Sequence, residues 1–245
     1  MESLSAARLL EVWERGRLLS GNRRALLLLE EAWSDESPTG LARLPVGRRD
    51  ARLLTLRTRL FGSTLHSVSS CPECGEALEW SQSADELRAT GADDPVETGE
   101  AGLVVEEADY SVRFRLPTTE DLLAVGQGGG GARALLERCV EEARQVGRTL
   151  AVDDLPEDVV AAIGREMERA DPQAQVTLRL ECPSCGHRFE NVFDIVSYLW
   201  AEIDRWARRL LDDVHLLASR YGWSEAEILA MSAWRRDAYL TRIRG

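Results

Sequence analysis

A short motif that occurs twice constrains this chain more than any other feature. Cys71-Pro72-Glu73-Cys74-Gly75 and Cys182-Pro183-Ser184-Cys185-Gly186 share the pattern Cys-Pro-x-Cys-Gly and hold four of the five cysteines. Two cysteines three apart can aim both sulfurs at one ion from a tight turn. The proline stiffens that turn. The glycine after the second cysteine can take positive φ, which lets backbone N–H groups approach the sulfurs. Two such knuckles supply four thiolates, the ligand set of a closed tetrahedral zinc site. Cys71 and Cys182 lie 111 residues apart. One metal bound by Cys71, Cys74, Cys182 and Cys185 therefore folds the chain back on itself and makes everything between the knuckles an insertion into a zinc ribbon.

A single Cys-x-x-Cys is ambiguous between metal and redox chemistry, and a disulfide or a thioredoxin-like pair are the competing readings. A redox pair should follow a strand in a βαβ unit and open a helix. Here strand-like segments flank each knuckle: residues 65–69 and 77–81 around the first, 176–180 and 188–193 around the second. With four cysteines filling four positions, no site stays open for water or substrate, so the expected ion is one structural Zn2+. His187 directly follows the second knuckle and could compete as a ligand, but is expected at the surface. Cys139 sits in a helical pattern and is expected to act as a small buried hydrophobe.

The formal net charge is −12, which argues against nucleic acid as a main partner, since phosphate binding needs a basic footprint. Residues 71–110 carry twelve acids against the single Arg88, whereas residues 1–70 carry eleven arginines against eight acids. All 30 basic residues are arginine. There can be no P-loop lysine, Schiff-base lysine or lysine general base. The three histidines, His66, His187 and His215, fall in different segments, and no Gly-x-Ser-x-Gly elbow or His-Glu-x-x-His occurs. The glycine run from Gly126 to Gly131 lacks the order of a dinucleotide fingerprint and is expected to be a flexible loop between helices. Enzyme activity and a small-molecule substrate are not expected. No apolar run is long enough to span a bilayer and no signal peptide is evident, so reduced cysteine pairs point to the cytosol.

Periodicity supplies the rest of the outline. Residues 4–31 are expected to be helical, with Leu9, Val12, Trp13, Leu18 and Leu19 on one stripe and a second helix from Arg24 to Trp33. After Pro45, Leu53, Leu56 and Leu60 recur at helical spacing up to Gly62. The other face, with Arg48, Arg49, Arg52, Arg57 and Arg59, is expected to be solvated. Residues 83–100 suggest an acidic loop after a short helix. Residues 103–106 and 110–116 suggest two strands. Thr118 can cap a helix through Val125, with Asp121 at the capping-box position. Helices are expected over 133–145 and 156–170, the latter with Val159, Val160, Ile163 and Met167 on its apolar face. A long helix over about 195–220 carries Val196, Leu199, Ile203, Trp206, Leu210 and Leu217 at heptad positions, where Asp213 breaks the register beside Val214. Gly222 fits its stop. Ser224 and Glu227 then form a capping box, with Trp223 and Ile228 placed as a hydrophobic staple. The helix that follows opens with Glu225 and Glu227 where a DNA-reading helix would need base contacts, so a helix-turn-helix is not favoured.

Several stretches together resemble the T4-type bacteriophage baseplate protein family of phages and related contractile injection systems. They are Leu44-Pro45-Val46-Gly47-Arg48-Arg49-Asp50, the two knuckles, Phe193-Asp194 through Leu199-Trp200-Ala201-Glu202-Ile203, Val214-His215-Leu216-Leu217-Ala218, and Tyr221-Gly222-Trp223-Ser224-Glu225-Ala226-Glu227-Ile228-Leu229, ending in Arg235-Arg236 and Tyr239-Leu240. The resemblance implies assembly rather than catalysis: a baseplate hub component or hub-assembly factor, with other baseplate or tail proteins as partners, either released after assembly or incorporated into the particle. It supplies no catalytic residues.

The expected fold is α+β and mainly helical, a discontinuous zinc ribbon with small antiparallel hairpins flanked by N- and C-terminal helices. Residues 1–64 form the N-terminal helical region, 65–82 and 174–194 the two ribbon halves, 83–173 the insertion and 195–245 the C-terminal helical region. A zinc-ribbon adaptor in transcription or nucleic-acid processing is the first alternative to a baseplate role, and a zinc–thiol redox sensor the second.

Overall fold

The computed structural model describes residues 4–89, 102–128 and 131–244. The chain begins with four helices, α1 (Ala6–Gly16), α2 (Gly21–Ala32), α3 (Pro38–Ala42) and α4 (Val46–Phe61). Strands β1 (Thr64–Ser70), β2 (Ala77–Ser83), β3 (Leu103–Glu107) and β4 (Tyr110–Phe114) follow. Next come α5 (Thr119–Gly128), α6 (Gly131–Cys139), β5 (Val140–Gln145), β6 (Arg148–Thr149) and α7 (Glu157–Ala170). The chain continues through β7 (Val176–Glu181), β8 (Arg188–Phe193), α8 (Ile195–Tyr221), α9 (Glu225–Ala230) and α10 (Ala233–Arg244). The architecture is mainly helical α+β with small antiparallel sheets. It divides into a helical unit, Met1–Glu36 with Val196–Gly245, and a mixed unit, Ser37–Ile195.

In the helical unit, Ser5 caps α1 by accepting from the Arg8 N–H at 3.2 Å, and Leu9, Leu10, Val12 and Trp13 are buried. Leu18, expected on the same stripe, is 98% exposed, because α1 ends at Gly16 and the chain turns there toward α2. The 27 residues of α8 span about 40 Å and bury Leu199, Ile203, Ala207, Leu210, Val214 and Leu217. Val214 takes the core position beside the register break, while Asp213 pairs outward with Arg244 at 3.2 Å. Ala207 is fully buried and Trp206 only half-buried, because the straight helix drifts off a strict heptad. Trp13 joins α1 to α8 by donating its indole N–H to Asp204 at 2.8 Å. Past Gly222, at φ +72°, the Ser224–Glu227 capping box forms, and Ile228 packs with Val214, Leu217 and Leu240, with Trp223 against them.

In the mixed unit, α4 buries Leu53, Leu54 and Leu56. Two of its arginines correct the expectation of a solvated face, while Arg59 is exposed as expected and Arg48 and Arg52 are half-buried. Arg57 is 2% exposed and donates to the Gly62 carbonyl at 2.7 Å, and Arg49 is buried in an ion pair with Asp50 at 2.7 Å. The start of α4 is held by a residue far away in sequence: Asp171 Oδ2 accepts from the Gly47 N–H at 2.8 Å. A Cβ at position 47 would stand 1.8 Å from Asp171 Oδ1, so only glycine allows this approach.

The strands β3-β4-β5-β6 form one antiparallel sheet in that order, and α7 packs on it through Val159 and Ile163 against Val112, Phe114 and Ala143. The helix expected over 133–145 is corrected: α6 ends at Cys139, and residues 140–145 are strand β5. Glu, Ala, Arg and Gln favour helix locally. Pairing with β4, Val112 opposite Ala143 and Phe114 opposite Val140, overrides that preference. Val146 and Gly147, both at positive φ, turn the chain into β6. Residues 84–87 form a turn rather than a short helix, with Ala84 and Leu87 buried. The acidic loop beyond residue 89 lies outside the described residues, as do residues 129–130 of the glycine run. Helix α5 extends beyond Val125 to Gly128, and Asp121 N–H donates to Thr118 Oγ1 at 3.3 Å while Asp121 Oδ2 accepts from the Thr118 N–H at 3.0 Å.

Candidate metal centre

Each knuckle is the turn of its own two-stranded hairpin. In β1–β2 the register runs from Thr64 opposite Ser83 to Ser70 opposite Ala77, and Cys71 to Glu76 lie at the tip. In β7–β8 it runs from Val176 opposite Phe193 to Glu181 opposite Arg188, and Cys182 to His187 lie at the tip. The two tips have the same backbone. The Cys71 N–H donates to the Glu76 carbonyl at 2.8 Å and the Gly75 N–H to the Cys71 carbonyl at 2.9 Å. The Cys182 N–H donates to the His187 carbonyl and the Gly186 N–H to the Cys182 carbonyl, both at 2.9 Å. Gly75 and Gly186 adopt φ of +76° and +73°. The repeated Cys-Pro-x-Cys-Gly motif thus encodes a repeated turn, with glycine where the chain needs the left-handed region.

The fold brings the two tips together. The sulfurs of Cys71 and Cys185 are 3.7 Å apart and those of Cys74 and Cys182 3.6 Å, and all four lie within 4.8 Å of one another. Bonds of about 2.3 Å from one tetrahedral zinc would place its sulfurs roughly 3.8 Å apart, so the spacing suits a single ion. The first cysteine of each knuckle is buried and the second exposed. Cys71, Leu78 and Cys182 share a small cluster on which Trp80, Leu180 and Phe189 pack. Asn191 adds a polar link by donating to Ser69 Oγ at 3.0 Å.

The electrostatics follow from crowding four thiols. Burial raises the Cys71 thiol, but the backbone N–H groups of Cys74 and Glu73 outweigh it and hold the thiol at about 7. The Glu76 N–H favours the Cys74 thiolate and the His187 N–H that of Cys185, yet burial with the Cys182 and Cys71 thiols raises Cys74, and the Cys74 thiol with burial raises Cys185 to about 12. Backbone donors therefore point at the sulfurs, while mutual repulsion keeps all four from ionising together. A divalent cation at their centre would remove that repulsion. The donor set fits a soft, four-coordinate metal that needs no open position.

The remaining candidate residues lie elsewhere. His187 stacks on Phe189 with ring centroids 6.1 Å apart and is outside the four-sulfur group. His66 Nδ1 is 2.8 Å from Ser81 Oγ on the first hairpin, and His215 is exposed on α8. Cys139 is fully buried at the end of α6, and burial pushes its thiol up to about 11. One polar group carried no sequence signal for its full role. Asp121 is 1% exposed and receives Arg115 through two hydrogen bonds, at 2.6 and 2.9 Å, and Arg138 at 3.0 Å. Burial raises its pKa, but the Arg115 guanidinium and the Thr118 donors prevail and hold the carboxyl well below the usual carboxylate range. Its capping role is visible in the spacing Thr118-x-x-Asp121; its two arginine partners are not.

Fold and centre together define a mainly helical α+β protein whose mixed unit brings two dithiol half-sites to one point. The family model described as T4 bacteriophage base plate protein matches residues 27–200, and the chain belongs to that family. The match includes all four clustered cysteines and ends at Trp200, so the segment from Tyr221 to Leu229 lies beyond it. No curated protein and no solved structure matches the chain. No helix among the described residues is long and apolar enough to cross a membrane.

Proposed function

We propose that this chain is a non-enzymatic structural or assembly component of the baseplate of a phage tail or contractile injection system. On this reading, one structural Zn2+ held by Cys71, Cys74, Cys182 and Cys185 fastens it. The family match carries the baseplate role. The four-sulfur cluster supports the metal. Residues 65–82 and 174–194 would then be two halves of one ribbon, and 83–173 an insertion pinned at both ends. The ion would supply folding free energy by cross-linking distant segments, with no substrate position of its own. Its partners would be other baseplate or tail proteins, met in the cytosol during assembly, with or without retention in the finished particle.

Deletion of the gene in a producing strain, followed by electron microscopy of the particles, tests the role. Tails lacking baseplates, restored by the wild-type gene, are the expected outcome; normal baseplates in the deletion strain would overturn the reading. Elemental analysis of the purified protein tests the metal separately. One zinc per chain is expected, falling by more than half in Cys74→Ser and in Cys185→Ser. Full zinc in both variants would remove the ion from the proposal while leaving the baseplate role standing.

A further inference from the structure

The helical unit holds a groove of about 230 Å³ between α8 and α10. All of its lining residues lie beyond the segment that the family model matches. Trp206, Leu210 and Leu240 give it an apolar wall, and Arg209, Asp213, Arg236 and Asp237 supply its charges. Positions 206 and 210, 209 and 213, and 236 and 240 are each one helical turn apart, so each helix turns a mixed apolar and charged ridge toward the other.

Arg236 sets the chemistry of this groove. It is only 7% exposed, yet among the described residues no carboxylate stands within ion-pairing distance of its guanidinium. Nη1 donates to the Met231 carbonyl at 2.5 Å, and Nε and Nη2 have no protein partner. Neither is sealed from solvent, because the fully buried side-chain nitrogen and oxygen atoms left without a partner among the described residues are Ser67 Oγ and Gln82 Nε2. Both therefore open to water through the groove that Arg236 lines. Burial pulls the Arg236 pKa below the ordinary arginine value, and the field of Asp213 offsets this only in part. Asp213 is already engaged by Arg244 at 3.2 Å. Arg209, exposed on α8, donates Nε to the Arg205 carbonyl at 3.3 Å and has no ion pair among the described residues. The carboxylate that opposes an incoming anion is Asp237, exposed and likewise without an ion pair among the described residues. A cationic occupant would be repelled by both guanidiniums, and a purely apolar one would desolvate Arg236 without compensating it. An inorganic anion would leave the apolar wall uncovered. Trp234, two residues before Arg236, is 81% exposed, and a protein partner can cover that ring beside the ionic contact.

We propose that this groove docks a glutamate side chain of a partner protein, with Arg236 and Arg209 receiving the carboxylate and Trp206 and Leu210 the methylene stem. The planar guanidinium of Arg236 can bond two carboxylate oxygens at once, and its unpaired donors are the ones that open to the groove. Glutamate suits the site better than aspartate, because its longer stem reaches a recessed guanidinium while lying against the apolar wall. Binding would give a buried cation the carboxylate it lacks in the free chain. The chemistry that the groove recognises does not depend on the partner being a baseplate protein, so its failure would leave that role standing.

The test is a titration of the intact, isotopically labelled protein with three short blocked peptides, Leu-Glu-Leu, Leu-Gln-Leu and Leu-Lys-Leu, and with acetate, followed by amide and arginine Nε–H chemical shifts. The glutamate peptide is expected to bind about tenfold more tightly than the glutamine peptide. Its shifts should centre on residues 206–213 and 233–240 and on the Arg236 Nε–H. The lysine peptide should not bind, and acetate should bind more weakly than the glutamate peptide. Two exposed positions allow variants that leave the packing of α8 and α10 intact. Arg209→Gln should remove part of the glutamate preference, and Asp237→Asn, which takes away the opposing carboxylate, should strengthen it. Equal binding of the glutamate and glutamine peptides, acetate binding as tightly as the glutamate peptide, shifts that map away from the groove, a preference unmoved by either variant, or no binding at millimolar peptide would each overturn the proposal.

Discussion

In the helical unit the buried face of α8 presents Leu199, Ile203, Ala207, Leu210, Val214 and Leu217, and stability is spread along that stripe. In the mixed unit the sheets are small, and polar side chains do much of the joining. Arg49, Asp50, Arg57, Thr118, Thr119, Asp121, Asp171 and Gln173 are all buried there, whereas among the described residues Arg236 is the buried charged side chain of the helical unit. The joins also reach far along the chain: Gly47 to Asp171 across 124 residues, Ala89 to Gln173 across 84, Cys71 to Cys185 across 114. A long amphipathic helix can bury a continuous stripe and tolerate the loss of one member. The mixed unit buries a smaller share of its residues as apolar side chains, so single polar groups and the clustered thiols are expected to carry more of its stability.

Substitution of a thiol should expose that contrast most strongly. If the four thiols hold the proposed metal, Cys182→Ser is expected to release it and destabilise the mixed unit by about 5 kcal/mol or more, with hydrogen exchange still slow along α8. Unchanged melting and metal content would break the comparison. Next in size, Ile203→Ala should cost about 4 kcal/mol through the cavity it leaves in the helical unit. Metal content should stay at the wild-type level; a loss of metal here would mean that the two units are not independent.

Asp121→Asn tests the buried polar joins. It leaves Arg115 and Arg138 without their shared carboxylate and should cost about 3 kcal/mol, read from urea denaturation. Because the folded pKa of Asp121 is depressed, its contribution is present above the ordinary carboxylate range and is lost as pH falls through and below that range. The variant should therefore be less sensitive than the wild type to acid below about pH 4.

Asp50 has the opposite sign. Its folded pKa is raised by burial to about 6, so the folded chain keeps a proton that the unfolded chain releases. That contribution is greatest below the unfolded pKa and fades as pH rises from about 4 to 6, a slope worth about 2 kcal/mol. Asp50→Asn should flatten the slope, measured as unfolding free energy against pH; an unaltered slope would assign it to another group. The smallest expected effect is Ser224→Ala, about 1 kcal/mol from the lost α9 cap, seen as faster exchange of the α9 amides without change in the mixed unit.

Legibility in the sequence follows the same division. The stripe of α8, the Gly222 stop and the Ser224–Glu227 box are patterns within a few residues, and each is readable from residue spacing alone. The knuckles are equally legible, because Cys-Pro-x-Cys-Gly encodes its own turn twice. The strand β5 is not. Its residues favour helix locally, and its conformation is decided by β4, which lies outside any short window. The buried Arg49 and Arg57 are hidden for a related reason. An arginine on a helix face is expected in water; the partners Asp50 and Gly62 lie within five residues, but the burial of Arg49 and Arg57 is set by the packing around α4, which no local spacing shows.

The sequence by itself determined the four candidate ligands, the helical segments with strong periodicity and the absence of a recognisable catalytic motif. These depend on residue chemistry and short-range spacing. Only the tertiary structure decided that sulfurs from two hairpins lie within 4.8 Å and that Asp171 holds the first turn of α4. Those arrangements join residues more than a hundred positions apart. Their closure depends on how the whole mixed unit packs, which no local pattern carries.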